Sequence, residues 1–415
     1  MSKSLSTFSA LDLARVQISD LESQLLKRKL RATQSPCDTK VLVDGRELKA
    51  FCSNDYLGLA NHPELIKALT EGGEEYGVGS GASHLISGHS AAHELLESQL
   101  ASFQRQHIPN ARALFFSTGY LANLTAITTF TRLAPQGNAS IYSARLNHAS
   151  LIDGVRLAGA QTQASVTLFD HVQIASLNEL LKNDQRPLKI IVIDGVFSMD
   201  GDLAPVKELL KLAEQYDALL LVDDAHGFGV LGRHGHGILE QVSICSDRII
   251  YIGTLGKAAG VCGAFICAQD AFIEWLVQKG RPFIYSTASP PAIAHTLSKS
   301  LEIIEGDEGT NRRAQLNKLI RIWQDEMEFS QWQKVSSCTA IQPVVLGSNA
   351  NALLASQLLD EAGYWIPAIR PPTVPNGSAR LRITFSANHS EADLHELIHT
   401  LKTIENQVIE KAKHE

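Results

Sequence analysis

The sequence is short of several things, and each shortage closes off a class of protein. Its six cysteines stand at 37, 52, 245, 262, 267 and 338, with no Cys-x-x-Cys pair. That scatter supports neither a disulfide framework nor a zinc site, and the thiols read as reduced core residues. Positive charge is not in excess: 37 Lys and Arg face 44 Asp and Glu, for a net charge of −7. With no basic stripe, a nucleic-acid partner is not expected. No apolar run approaches the length of a membrane span. The opening MSKSLSTFSA has no apolar segment of the secretory kind, so the cytoplasm is the expected compartment. Internal repeats and low-complexity tracts are missing as well. What remains is ordinary for a globular protein, 44% hydrophobic and 20% charged over 415 residues. That length suggests two or three domains with a sizeable core.

Leu11, Ala14, Ile18, Leu21 and Leu25 recur at three- and four-residue steps, which predicts an amphipathic helix. Lys27, Arg28, Lys29 and Arg31 follow as cations suited to its C-terminus. Its apolar stripe needs a surface to cover, such as a partner subunit. Val41–Val43 and Leu48–Phe51 flank Asp44-Gly45 and predict a hairpin. Turn formers around an aromatic follow in SNDYLGL, Ser53–Leu59. The glycines of Gly77–Ser90 allow close backbone approach, but the segment lacks the strand-before, helix-after setting of a dinucleotide fingerprint.

Short apolar runs then alternate with helical stretches. The runs are Ala113–Phe116, Ile141–Tyr142, Lys189–Ile193, Ala218–Val222, Ile249–Ile252 and Ala264–Cys267. This is the pattern of an α/β unit whose mostly parallel sheet is covered on both faces. Past Ser289 the texture changes to a smaller α+β unit. Its predicted strands are Ile341–Leu346, Tyr364–Ile369 and Ala379–Phe385, with a last helix capped at Ser390. The expected boundaries are 1–52 for an N-terminal helix and hairpin segment, 53–288 for the large domain and 289–415 for the small one.

Ligand sites in such sheets lie beyond the carboxyl ends of the strands. Ser117-Thr118-Gly119-Tyr120 follows the first run and opens a helix at about Leu121, a natural phosphate seat. Taken alone it is more simply an N-cap, and His148, after the second run, a cap or a packed ring. Asp194 and Ser198 follow the third run, and Asp223, Asp224 and His226 the fourth. Two adjacent acids are costly to bury together, so one should have a cation or face solvent. Asp223-x-x-His226 lacks a third ligand nearby and is a weak metal pair, so no metal is expected. Thr254 and Lys257 follow the fifth run on a small-residue turn, TLGKAAG, where partial desolvation would favour a neutral amine. Pyridoxal 5′-phosphate accounts for all of these together. It needs a phosphate seat, a carboxylate opposite a ring nitrogen, an imidazole near the ring and a lysine that forms an imine.

Six ordered motifs resemble the α-oxoamine synthases, a fold-type I family of pyridoxal-phosphate enzymes. They are NDYLG (Asn54–Gly58), GSGAS (Gly79–Ser83), NHASLIDG (Asn147–Gly154), GVFSMDGDLAP (Gly195–Pro205), VDDAHGFGVLG (Val222–Gly232) and TLGKA (Thr254–Ala258). The resemblance runs from about Arg28 to Arg382, and IRPPTVPNGSARLR (Ile369–Arg382) is similar to the biotin-pathway branch. It implies decarboxylative condensation of L-alanine with a pimeloyl thioester of CoA or acyl carrier protein, in a homodimer, the alternative being a family member that uses glycine or serine with a different acyl-CoA. It implies that Lys257 carries the cofactor and moves the substrate Cα proton, that Asp223 holds the pyridinium and that His148 stacks on the ring and meets substrate. His226 would reach the phenolic oxygen, with Ser198 close by. Gly119, Tyr120 and Thr254 would seat the phosphate, helped by the partner subunit's Ser286 or Thr287. Arg28, Asn54, Thr373 and Arg382 would hold substrate, with Arg382 rather than Arg380 on the amino-acid carboxylate. The sequence departs from the family pattern at Asp194, where glutamate is usual, at Phe228 and at Ala258-Ala259. Asp194 and Phe228 are expected to reshape the substrate pocket.

Overall fold

The computed structural model describes residues 9–414, so Met1–Phe8, most of the stretch read for a sorting signal, lies outside the described residues. Helix α1, Ala10–Ser23, starts where the Ser9 side chain accepts from the Asp12 amide. It ends earlier than its apolar stripe predicts. Leu25 turns into the left-handed region at φ 58°, and Lys27–Arg31 follow outside the helix. The cations therefore do not serve the helix dipole. Lys27 pairs with Glu22, and Arg31 reaches Asp44 at 2.8 Å and Asp360 at 2.7 Å.

The hairpin forms as its turn chemistry requires. Strands β1, Lys40–Val43, and β2, Arg46–Ala50, are joined by Asp44 and Gly45 at φ 50° and 78°. Positive φ at both turn residues matches the right-handed twist of the flanking strands. Helices α2, Pro63–Tyr76, and α3, Ala91–Gln104, follow, separated by a single π-helical turn at His84–Gly88.

The central sheet has seven strands: β3 Ala111–Phe116, β4 Ala139–Ala144, β5 Ser165–Phe169, β6 Leu188–Asp194, β7 Ala218–Asp223, β8 Ile249–Thr254 and β9 Ala264–Gln269. Their order is β3-β9-β8-β7-β6-β4-β5. β9 runs antiparallel to both of its neighbours, and every other pairing is parallel. Alternate side chains feed two cores. Leu219, Leu221, Ile250 and Ile252 pack on one face, and Leu220, Val222, Ile249 and Tyr251 on the other. Helices α4, Gly119–Phe130, and α5, Ala149–Thr162, pack against each other after β3 and β4. β5 was not predicted, because as an edge strand it alternates exposed and covered residues instead of showing an apolar run.

The remaining strands are β10 Gln333–Lys334, β11 Ile341–Gly347, β12 Tyr364–Trp365, β13 Ala368–Ile369 and β14 Ala379–Thr384. The predicted Tyr364–Ile369 strand is in fact two. β12 pairs with β2 of the hairpin, and β13 with β14 of a four-stranded antiparallel sheet. Pro367 lies at the break, where a missing amide proton suits a change of partner. Ser390 caps the helix Glu391–His414, accepting from the Asp393 amide. Of the thiols read as core residues, Cys267 is buried, whereas Cys37, Cys245, Cys262 and Cys338 are exposed.

Candidate active site

β7 and β8 are neighbours in parallel register, with Asp223 opposite Ile252. Their carboxyl ends bring Asp223, His226 and Lys257 together. Lys257 Nζ lies 2.9 Å from His226 Nε2, and His226 Nδ1 lies 2.6 Å from the Tyr56 hydroxyl. Tyr56 donates to Asn54 Oδ1 at 3.0 Å, which also accepts from Arg382 at 3.1 Å. The network orients itself. Because Tyr56 gives its proton to Asn54, His226 donates from Nδ1 and accepts from Lys257 at Nε2. One chain of hydrogen bonds therefore joins the amine to the guanidinium. Burial lowers the Lys257 pKa to about 8, with Asp223 opposing and Arg382 adding to the effect. Burial, Lys257 and Arg382 hold His226 well below its usual value, so it is neutral.

A second chain starts at Asp223. Asn123, on α4, donates to Asp223 Oδ2 at 2.6 Å and to Ser150 Oγ at 2.8 Å. Ser150 Oγ stands 2.6 Å from His148 Nδ1, which also accepts from the Ser150 amide. His148 is thus the N-cap of α5 with its proton on Nε2. Burial lowers its pKa, against the pull of Asp223 and with the push of Lys257. Its own amide donates to Asp194 Oδ2 at 2.6 Å. Burial, reinforced by Asp223, raises the Asp194 pKa well above the carboxylate range.

The expectation that Asp223 or Asp224 would find a cation or face solvent is met only through the electrostatic attraction of Asp223 for Lys257, since neither acid has a Lys or Arg within ion-pair distance among the described residues. Both are buried and held by neutral donors: Asp223 by Asn123 and the Ala225 amide, Asp224 by the Ile238 amide and Tyr251. Phe228 also departs from expectation. It is 1% exposed and packs on Phe103 and Phe265 in the core, so it does not shape a substrate pocket.

Helix α4 begins at Gly119, two residues before the predicted start, with Thr118 as N-cap. Gly119 faces Thr254, whose hydroxyl donates to Gly263 O at 3.1 Å. The Tyr120 hydroxyl pairs with Asp153. Ser286 and Thr287 make no hydrogen bond to these groups within the chain among the described residues, and Thr287 instead bridges to Ser83.

The two strand arginines differ in their partners. Arg380 meets Asp200 at 2.6 Å and Met199 O at 2.9 Å. Arg382 is held by Ser198 O at 2.7 Å and Asn54, with no carboxylate in ion-pair distance among the described residues. A cavity of about 280 Å³ joins Ser198, Arg145, Arg380 and Thr373. Thr373 also borders a cavity of about 450 Å³ lined by Arg28, Arg31 and Arg370. Arg28 reaches Thr373 Oγ1 at 3.4 Å. Arg28 and Thr373 therefore sit together, and Lys257 lines neither cavity.

Tyr56, Asn123 and Ser150 were not singled out from the sequence. Asn123 did leave a signal, as a polar residue in the apolar helix GYLANLTAITTF, where burial demands a partner. The donor set fits pyridoxal 5′-phosphate: an amine of lowered pKa, a buried carboxylate fixed by neutral donors, and a helix N-terminus beside a hydroxyl.

The class I and II aminotransferase family matches residues 47–401. The chain is 52% identical over 391 residues to 8-amino-7-oxononanoate synthase from Janthinobacterium sp. (strain Marseille), covering 94% of this chain and 97% of that one. It is 51% identical over 397 residues to the enzyme of that name from Bordetella petrii, covering 96% and 98%. Among solved structures, a lysine-to-alanine variant of serine palmitoyltransferase from S. paucimobilis with a bound PLP-myriocin aldimine superposes with a TM-score of 0.85 at 26% identity, over 98% of this chain and 99% of that one. 8-Amino-7-oxononanoate synthase from Francisella tularensis gives 0.71 at 28% identity, over 88% and 99%. Matched by the family over most of its length and half identical to these synthases almost from end to end, the chain belongs to the class I and II aminotransferases, in their 8-amino-7-oxononanoate synthase branch.

Proposed function

We propose that this chain joins L-alanine to a pimeloyl thioester, with loss of carbon dioxide and free thiol, to give 8-amino-7-oxononanoate for biotin synthesis. The observation that carries this reading is the Arg382 guanidinium, which is fixed by neutral acceptors and linked by hydrogen bonds to Lys257, with no carboxylate of its own. It has the place and the unmet charge for an amino-acid carboxylate. The closer superposition on serine palmitoyltransferase reflects the fold the two share, whereas identity near one half lies with the synthases.

Pyridoxal 5′-phosphate, when bound through Lys257, supplies an electron sink for negative charge at the substrate Cα. The remaining work falls to the chain. Arg382 holds the alanine carboxylate, and Asn54 holds Arg382. Lys257, with a pKa of about 8, takes the Cα proton and later returns one at near-neutral pH, a transfer typically worth ~10²–10⁴ in rate. His226 and Tyr56 keep the amine positioned. Asp223, fixed by Asn123, would hold the cofactor ring nitrogen, and His148 would cover the ring and meet substrate. Gly119, Tyr120 and Thr254 receive the phosphate at the start of α4. Arg28 and Thr373 take the far end of the acyl group, and Ser198 lies between the two regions.

The same reading includes a cytoplasmic homodimer that meets its acyl group on CoA or an acyl carrier protein. The partner subunit's Ser286 or Thr287 would complete the phosphate seat. Leu11, Val16, Ile18 and Leu21 on α1 are all exposed in the single chain, as a dimer-forming helix would be.

The test is a matrix of L-alanine, glycine and L-serine against pimeloyl, acetyl, succinyl and palmitoyl thioesters, with products measured by mass spectrometry. L-Alanine with the pimeloyl thioester should give the highest kcat/KM, by at least ~10-fold, the scale of a methylene difference in a pocket. Glycine with a short acyl-CoA winning would overturn the assignment.

A further inference from the structure

Three histidines outside the site just described converge on one point. The π-helical turn His84–Gly88 carries an i→i+5 hydrogen bond from the Gly88 amide to Ser83 O at 3.0 Å. That wide turn sets His84 and His89, five residues apart, side by side, a use of π geometry often found at functional positions. His89 immediately precedes Ser90, the N-cap of α3, and His93 sits one turn in. The three rings stand 5.1–5.5 Å apart, centre to centre. One nitrogen from each lies within 4.8 Å of the others. His84 Nδ1 and His89 Nδ1 face each other at 3.0 Å, close enough for one ion to take both in place of the proton they share.

The surroundings are those of a ligand set as well. The other nitrogen of His89, Nε2, lies 4.0 Å from Glu97 Oε2. Glu97 accepts from the Phe115 amide, and no Lys or Arg is in ion-pair distance of it among the described residues. Glu97 stands just beyond hydrogen-bond distance of His89 and would close on Nε2 when an ion binds, since a carboxylate behind the far nitrogen is the usual support for a metal-bound histidine. His84 is held flat against Phe283, with ring centres 4.8 Å apart at 11°. His93 is fully buried, and its Nε2 donates to Ser289 O at 2.9 Å.

We propose that His84, His89 and His93 bind one divalent transition-metal ion of the zinc class, with Glu97 supporting His89 from behind. His84 and His89 offer Nδ1. His93 offers its Nδ1 lone pair, which now meets the Ser90 amide at 3.1 Å and Ser90 Oγ at 2.9 Å and would give up both to the ion, and keeps its proton on Nε2 for Ser289 O. Water completes a tetrahedral set on the exposed His89 side. Imidazole donors select zinc, cobalt, nickel or copper over magnesium and calcium. The bound ion would tie the turn at 84–88 and the start of α3 to the segment around Phe283 and Ser289, two residues from Thr287. Its role is to brace that segment, not to take part in the condensation.

The experiment titrates metal-stripped holoenzyme with Zn²⁺ by calorimetry and with Co²⁺ by its visible d–d bands, with Mg²⁺ as control. One Zn²⁺ per chain should bind, Mg²⁺ should not compete, and Zn²⁺ should raise the melting temperature. H84Q/H89Q should abolish the site and its cobalt bands, and E97Q should weaken zinc by roughly 10–100-fold, the usual loss when a supporting carboxylate is removed. Should the double variant fail to fold, H89Q alone serves, since His89 is exposed. No stoichiometric zinc on the wild type, or equal affinity on wild type and variants, would overturn the proposal.

Discussion

Arg382 and Arg380 lie on one strand, two residues apart, and both are nearly buried, yet their replacement should fail in different ways. Arg382 uses Nε on Ser198 O at 2.7 Å and one terminal nitrogen on Asn54 Oδ1 at 3.1 Å. The rest of its fork is left for a ligand carboxylate. Arg382→Lys keeps the charge and loses the fork. A hydrogen bond to a charged group is worth about 1.5–3 kcal/mol, and each ~1.4 kcal/mol is tenfold in affinity. The KM for L-alanine should therefore rise by roughly 10–100-fold, with cofactor content and melting temperature little changed. Arg380 is spent on Asp200 at 2.6 Å and Met199 O at 2.9 Å. Arg380→Gln should cost about 2 kcal/mol of stability and leave the KM for alanine near wild type in the protein that remains folded. The assays are steady-state kinetics over an alanine series and thermal melts of both holoenzymes. A KM unmoved in Arg382→Lys, or raised as far in Arg380→Gln, would refute the assignment of the carboxylate to Arg382.

Borohydride reduction of the holoenzyme followed by peptide mapping should place the cofactor label on Lys257, and Lys257→Ala should fold without turning over; a label elsewhere defeats the proposed role. Asn123→Leu removes the side-chain donor to Asp223 and Ser150, so kcat should fall by roughly 10–100-fold, as loss of a bond to a charged group implies, while cofactor content is kept; equal losses of both would make Asn123 merely structural. In the cofactor-free protein, the Lys257 pKa is lowered to about 8 from 10.5. Between those values the unfolded chain holds a proton that the folded one has shed, so stability rises with pH across that window. Lys257→Met should abolish the rise and be the more stable form at pH 7 by up to ~3 kcal/mol, measured by urea melts from pH 7 to 10.5; an unchanged slope in the variant would contradict the burial argument.

The sheet was legible because its strands are apolar on both faces, and short unbroken apolar runs such as those in ALLLVD and IIYIGT are the mark of strands buried in a covered parallel sheet. The positions that followed those runs were legible for the same reason, since a parallel sheet directs what comes after each strand to one edge. Edge elements were not. β5 shows alternation too weak to separate from loop, and β12 and β13 are two residues each, so their pairing depends on what lies beside them in space. Tyr56, Asn123 and Ser150 escaped notice because their roles arise only when distant segments meet, as in Asn123 with Asp223, 100 residues apart, and Tyr56 with His226, 170 apart. The histidine cluster was hidden by a π-helical turn, which no three- or four-residue periodicity announces.

The pair Asp223-Asp224 shows where residue-by-residue reasoning breaks down. Burying two adjacent acids without a cation looks prohibitive if each is charged and each lacks partners. The strand resolves this by ending between them. Asp223 is directed toward Asn123 and Lys257, while Asp224 is directed into a backbone pocket behind the site. There it accepts from the Ile238 amide at 2.6 Å and from Tyr251 at 2.8 Å, and burial raises its pKa to about 7. The pocket is bounded by glycines for a steric reason. A Cβ on Gly227 would lie 2.0 Å from Asp224 Oδ1, and one on Gly237, at φ 96°, 2.1 Å from Oδ2. Gly227 in the AHG motif therefore serves the structural acid, not the cofactor. Motif residues that look equally catalytic in one dimension divide here into one carboxylate that faces the chemistry and one that closes the turn carrying His226.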